Sequence, residues 1–305
     1  MKSIKVLCLC LLLPFLHSCA KKVAPTAKIK SKQQYATQTQ VRSTQLFYKV
    51  DVQGDINLVL NKSRKGSKLI LKGDGKDLDL VKTHIRDGQL FINAPSYEPN
   101  HSPVTAVLSM PQINRLAYNG DGNISGTNLR ASAMDLQLYV NGNVNLSGKL
   151  DVRDLSVTGK NNIKLAGVIS RHLNVVMNGE VNVKIRGMAN IETMKYAGEG
   201  ELTMYWVKSP DLEILGYGKA KVHLAGEAHY LHAITHDQAV LDAKYLRVGK
   251  AYVKARDNST IRLVPIKELN SLASDHGHIY YYQSPKFKAD FMAQNGAVLN
   301  FEQFK

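Results

Sequence analysis

The sequence predicts an all-β chain wound as a right-handed parallel β-helix, or a closely related solenoid, of about 20 residues per coil. Three observations predict it. Apolar-x-Gly elements end at Gly126, Gly148, Gly167, Gly187 and Gly226, at intervals of 22, 19, 20 and 39 residues, and the long gap holds one further unit around TMYWVKS that lacks the glycine. A second set of segments interleaves with these, and its leading apolar residues Leu136, Leu155, Leu173, Ile191, Leu212 and Leu231 are 19, 18, 18, 21 and 19 residues apart. Between the two sets stand turn formers such as NGN, GKNN, NGE, GEG and GYGK. Self-similarity at a fixed period of this length is the signature of a stacked-repeat architecture.

Each unit is short and alternating, so that every second side chain points to one face. In GNVNLSG, Val144 and Leu146 point inward while Asn143, Asn145 and Ser147 point outward; in NNIKLAG, Ile163 and Leu165 point inward. One such unit cannot bury its apolar stripe alone, whereas parallel stacking pairs the backbones and makes a continuous core. Gly and Asn at the turns supply positive φ at low steric cost. Asn119, Asn141 and Asn178 are expected to stack as a side-chain ladder. The competing fold is an antiparallel β-sandwich, because the Asn-Gly pairs at 119–120 and 141–142 would also suit hairpins.

The elements read in order from the N-terminus. Residues 1–18 have Lys2 and Lys5, then an apolar run from Val6 to Leu16 broken by Pro14. That run is shorter than the ~20 residues a membrane span needs and has the length of a signal-peptide core. Leu16, a small Ser18 and then Cys19 resemble the lipobox of bacterial lipoproteins. The resemblance implies cleavage before Cys19, acylation of that thiol and, with Ala20 following it, the outer membrane of a Gram-negative host. Residues 19–43 are rich in Lys, Gln, Thr and Ala with no apolar period, and read as a flexible tether. Residues 44–112 alternate like strands, with a short helix or turn expected around Gly75–Thr83. Residues 113–264 are the Gly-rich coils. Residues 265–305 leave the register at Pro265: IKELNSL reads as a helical turn, and the strands after it as a cap on the exposed end.

Composition excludes several chemistries. Cys8, Cys10 and Cys19 are the only cysteines, so after processing no free thiol remains for a disulfide, a thiolate metal site or a nucleophile. Of the net charge of +15, Lys2 and Lys5 leave with the signal, the acid-free tether 20–43 holds +6 and the body +7. A basic tether beside a lipid anchor suits anionic head groups. No basic run with interleaved aromatics is present, so nucleic acid is not an expected partner.

The order of elements resembles a known family. A strand pair with GDINLVL (54–60), an LKGD turn (71–74), DGQLFI (87–92), a strand ending in Met110–Pro111, INRLAYNGDGNISG (113–126) and GHIYYYQSPKF (277–287) together are similar to the putative auto-transporter adhesin, head GIN domain family, over about residues 46–301. The resemblance implies a β-helical fold on an exported or surface protein and carries no catalytic residues.

The candidate site residues are few. Tyr196, Tyr205, Trp206, Tyr217 and Tyr230 fall on neighbouring coils and could form an aromatic strip for sugar rings. His229, His232 and His236 are weak metal candidates, since imidazoles four apart on a strand share a face without touching. Glu180, Glu199 and Glu201 lie in consecutive turns, and two carboxylates alone do not make a glycosidase. No Ser–His–Asp order, P-loop or dinucleotide fingerprint is present. The expectation is a membrane-anchored, non-enzymatic, adhesin-like binding protein without a cofactor or resident metal, whose partner is a glycan or an envelope protein. The alternatives are a purely structural envelope lipoprotein and a polysaccharide-active enzyme.

Overall fold

The structure is a computed structural model, and it describes residues 37–95 and 104–304. The signal 1–18, Cys19 and most of the tether lie outside the described residues. The chain forms a β-solenoid of about nine turns with about 20 residues per turn. Its rungs pair in parallel, as in β11 (Glu201–Gly216) with β12 (Lys221–Thr235), so the antiparallel sandwich is excluded.

The coil starting at Glu201 shows how the sequence shapes a turn. Inward and outward residues alternate, but neighbours both face solvent at Tyr205–Trp206 and again at Pro210–Asp211. The chain turns a corner at each break. Each coil therefore has an A side (201–205 here), a short B side (207–209), a C side (211–216) and a return turn (217–220). Leu136, Leu155, Leu173, Ile191, Leu212 and Leu231, picked out by spacing, are all buried at the start of the C side, with Leu136 opposite Leu155 and Leu212 opposite Leu231. Cutting one of these to Ala removes packing from both neighbouring rungs, a cost of about 2–5 kcal/mol.

The A–B corner needs a left-handed backbone. Asn128, Gly148, Gly167, Gly187, Trp206 and Gly226 occupy it in successive coils, all at positive φ. At Gly226 an added Cβ would sit 2.2 Å from the Val207 carbonyl oxygen, so close approach as well as φ demands glycine. The unit without glycine thus solves the same corner with Trp206, at φ +80°.

The N-terminal end departs from simple winding. β2 (Lys49–Gln53) lies parallel between β6 (Gln89–Asn93) and β8 (Arg115–Gly120). β3 (Asn57–Lys62) lies parallel between β7 (Thr105–Met110) and β9 (Ile124–Val140). The segment read first is therefore the second coil of the stack, enclosed by chain that follows it. The outermost coil is covered by antiparallel strands: β4 (Lys68–Gly73) pairs with β7, β1 (Gln38–Ser43) with β4, and β5 (Lys82–Arg86) with β6. The two-residue turn Asp87–Gly88 between β5 and β6 has positive φ at both positions, as a type I′ hairpin requires. The expected short helix forms as α1 (Gly75–Leu80), where Asp74 caps the Lys76 amide and Leu78 is buried.

After β10 (Asn143–Tyr196), β11 and β12, the stack continues without a break through β13 (Val240–Ala255) and β14 (Thr260–Ala273). IKELNSL is therefore strand, not a helical turn, because Leu269 and Ser271 continue the inward alternation that the stack imposes. β15 (His278–Tyr281), β16 (Phe287–Ala293) and β17 (Val298–Phe301) complete the last described rungs, all in parallel register. Lys288 of β16 stands opposite the buried Leu269 and turns its amine over the end of the core. Its Nζ donates to the Tyr281 hydroxyl at 3.1 Å and lies 4.9 Å from the ring centres of Tyr281 and Phe291.

The asparagine ladder exists, built from other residues than expected. Asn57, Asn123, Asn143, Asn162 and Asn182 start the A side in successive coils; the side-chain amides of the last three each donate to the preceding Asn at 3.3–3.5 Å. Asn119 instead donates to Gln53, and Asn141 donates to Asp121 and accepts from the Lys160 amide.

Candidate binding faces

The three sides carry different chemistry. The C side is acidic and neutralised only in part: Asp211 and Glu213, which line an open cavity with Glu192 and His232, form no ion pair with a described residue. Arg153 reaches Asp135 at 2.6 Å and Asp154 at 2.9 Å, and Lys250 reaches Glu268 at 3.1 Å. Burial pushes the Asp154 carboxyl up, yet hydrogen bonds from Arg153 and Asn174 outweigh it and hold the group below the usual carboxylate range. Two of the three glutamates singled out in the sequence are matched in the turns, Glu180 with Lys160 at 2.8 Å and Glu199 with Lys219 at 2.9 Å, while Glu201 opens the A side 3.7 Å from the His223 ring. Glu180 and Glu199 hold the amines of Lys160 and Lys219 above their ordinary value.

The A side is different. Two adjoining grooves of about 480 and 410 Å³ run over its outward residues, and Lys164 and Lys184 line both. Asn143, Asn162 and Asn182 edge the first, and Arg186 lines the second. Adjacent rungs are about 4.8 Å apart, so the two lysines bring like charge close together. Lys164, Lys184 and Arg186 form no ion pair with a described residue, whereas Lys160, Lys219, Arg153 and Lys250 of the turns and C side do. Tyr205 is exposed on the next rung, in register between Arg186 and Ala225.

The expected aromatic strip is not one surface. Tyr196 is 1% exposed and packs over Gly216, inside the core, because it falls on an inward position of the C side; it leaves the set. Tyr205 edges the A side, and Trp206 projects from the A–B corner as an extra residue between paired Tyr205 and Val207. Tyr217 stacks on His236 in the return turns, with ring centres 5.0 Å apart, and Tyr230 begins the C side. The histidines are dispersed too. His229 lies 6.4 Å from the Tyr230 ring, His232 tilts against Tyr252 at 4.9 Å, and His236 sits on Tyr217 near Asp257. Among the described residues no three His, Cys, Asp or Glu side chains are placed to hold a metal ion.

The basic A-side grooves were missed in the sequence. Lys164, Lys184 and Arg186 are scattered by 20 and 2 residues, and only the rung register gathers them. The signal was present in the outward positions of NNIKLAG and VNVKIRG, which the period already aligned.

Residues 46–224 and 173–285 match the family described as putative auto-transporter adhesin, head GIN domain. A solved putative adhesin from Parabacteroides distasonis is 12% identical, with 87% of this chain and 97% of that chain covered and a TM-score of 0.49. A putative adhesin from Parabacteroides merdae is 14% identical, covering 87% and 96%, with a TM-score of 0.46. A putative lipid binding protein from Parabacteroides distasonis is 13% identical, covering 88% and 98%, with a TM-score of 0.42. No curated protein matches.

Proposed function

We propose that this chain, which belongs to the putative auto-transporter adhesin, head GIN domain family, is a non-enzymatic binding protein that holds an acidic glycan along its A side. The observation that carries the reading is the pair of adjoining grooves sharing Lys164 and Lys184, with Arg186 lining the second and the exposed Tyr205 in register on Arg186; Glu201 at the end of the first groove is the one acid among their lining residues, and it forms no ion pair with these cations. Unpaired cations suit the carboxylate or sulfate of an acidic sugar. The asparagine row suits its hydroxyls, and a tyrosine ring suits stacking against the sugar face. In the column of Arg186, exposed Tyr205 and Tyr245 stand one and three rungs on, separated by Ala225, too few and too far apart for a run of stacked bases.

The non-enzymatic part is supported by the family, which is described as an adhesin head domain. The leader and Cys19 support export and lipid anchoring at the outer membrane, with the basic tether beside the bilayer. Shaving intact cells with protease distinguishes a surface-facing body from a periplasmic one.

Glycan-array binding of the full chain against the Lys164→Glu/Lys184→Glu variant tests the ligand. Uronate- or sulfate-bearing glycans should bind the native chain and be lost in the variant. Equal signal from both proteins, or signal only from neutral glycans, would remove the A side as the site.

A further inference from the structure

The B side carries a feature that glycan recognition leaves unused. Its outward residues in successive coils are Arg130, Lys149, Ile169, Met188, Lys208, Glu227 and Arg247, with Trp206 at the corner beside Met188 and Lys208, so that one acid stands between the last two cations of the side. Ile169, Met188 and Trp206 are 65, 49 and 70% exposed. Three large apolar side chains thus stand side by side in solvent, bracketed by cations. Arg130, Lys149 and Lys208 make no ion pair with a described residue. Lys62 joins Arg130 and Lys149 around an open cavity of about 580 Å³ at the N-terminal end of the same side. The most exposed of the apolar residues also occupies the left-handed corner that glycine fills in most coils. A residue held in such a backbone without being buried points to use.

We infer that the B side, led by Trp206, rests on the surface of an anionic lipid bilayer. A stack of parallel rungs offers a nearly planar strip, which matches a planar partner. Apolar side chains flanked by Lys and Arg place hydrocarbon at the head-group boundary and cations on lipid phosphates. A Trp ring is suited to that boundary, being apolar in body with one polar N–H. Charge complementarity singles out the occupant, because a second copy would bring the same three cations against this strip. The A-side grooves stay open in this orientation.

Trp206 is the only tryptophan in the chain, so its emission reports this corner alone. The full chain carrying Cys19→Ser, which removes any acyl anchor, would be mixed with vesicles of phosphatidylcholine alone or with phosphatidylglycerol. A blue shift of emission with the anionic vesicles, weakened by salt, is expected. Lys149→Glu should reduce the partitioning at least about fivefold, the loss of one interfacial cation. Met188→Asp should abolish the shift while leaving glycan binding intact, which separates this inference from the A-side reading. Vesicle binding with unchanged emission would mean that the tether alone docks and would overturn it. So would a blue shift that rises with protein concentration in the absence of lipid, which would give the strip to a second copy.

Discussion

The buried hydroxyl of Tyr118 donates to the Ile56 carbonyl at 3.0 Å and accepts from the Gly122 amide at 2.7 Å. It ties the first regular coil to the enclosed segment 62 residues earlier in the chain. Tyr196 is buried just as deeply, but its hydroxyl has no hydrogen-bond partner among the described residues. Replacing each with Phe should therefore have opposite effects. Tyr118→Phe leaves a buried carbonyl and amide short of a partner and should cost about 1–2 kcal/mol. Tyr196→Phe removes an unpaired polar atom and should raise stability by up to about 1–2 kcal/mol. Urea denaturation of the two variants reads both signs.

The same two rings set an alkaline limit. Burial raises the Tyr118 hydroxyl from 10.0 to about 12, and burial raises Tyr196 further still. Because the folded value lies above the unfolded one, the unfolded chain loses its proton first. Stability is retained below about pH 10 and falls as pH climbs through 12, by up to ~1.4 kcal/mol per pH unit for each ring. Urea midpoints at about pH 9 and about pH 11.5 should diverge for the native protein and converge in the double Phe variant. Equal pH sensitivity in that variant would rule the rings out as the cause.

The A–B corner predicts a second opposed pair. Trp206→Gly relieves a left-handed backbone and gives up little buried surface, so stability should hold or rise by about 1 kcal/mol. Gly226→Ala imposes that strain and drives a Cβ into the Val207 carbonyl, and should cost about 3 kcal/mol. Thermal melts of the two proteins decide; a melting temperature that drops in Trp206→Gly would show that the ring holds the corner together.

Lys288 guards the C-terminal rung. An inward-pointing cation over the core end discourages edge-to-edge pairing of strands. Lys288→Leu should leave the monomer folded and promote end-to-end association, visible as larger species in sedimentation velocity. A variant that stays monomeric at high concentration would assign the protection to other residues.

How far the sequence could be read follows from which signals are local. The 18–21-residue spacing located the C-side residues, and every one is buried, because period and alternation are local properties of the chain. The same spacing found the coil whose corner is Trp206 instead of Gly. Tyr196 was misread because composition identifies an aromatic strip but alternation decides its direction, and position 196 shares the inward parity of Met194. IKELNSL misled because its local helical character yields to the rung beneath, where Lys250 to Ala255 already offer a template. The asparagine ladder was displaced because the turns hold several Asn residues within a few positions, and only the register distinguishes them. The basic grooves and the B-side strip were legible only in part, since their members meet through stacking between coils.

The enclosed position of β2 and β3 has a mechanical consequence. Tension entering from the N-terminal side first unzips β1 from β4 one bond at a time, and then reaches β2. There the load runs along a strand held on both edges by parallel neighbours, so its hydrogen bonds are sheared together. A body pulled by its N-terminal side would yield at β1 and then hold. Such a load would be borne by the clamp at Lys49–Lys62 before any later coil was disturbed.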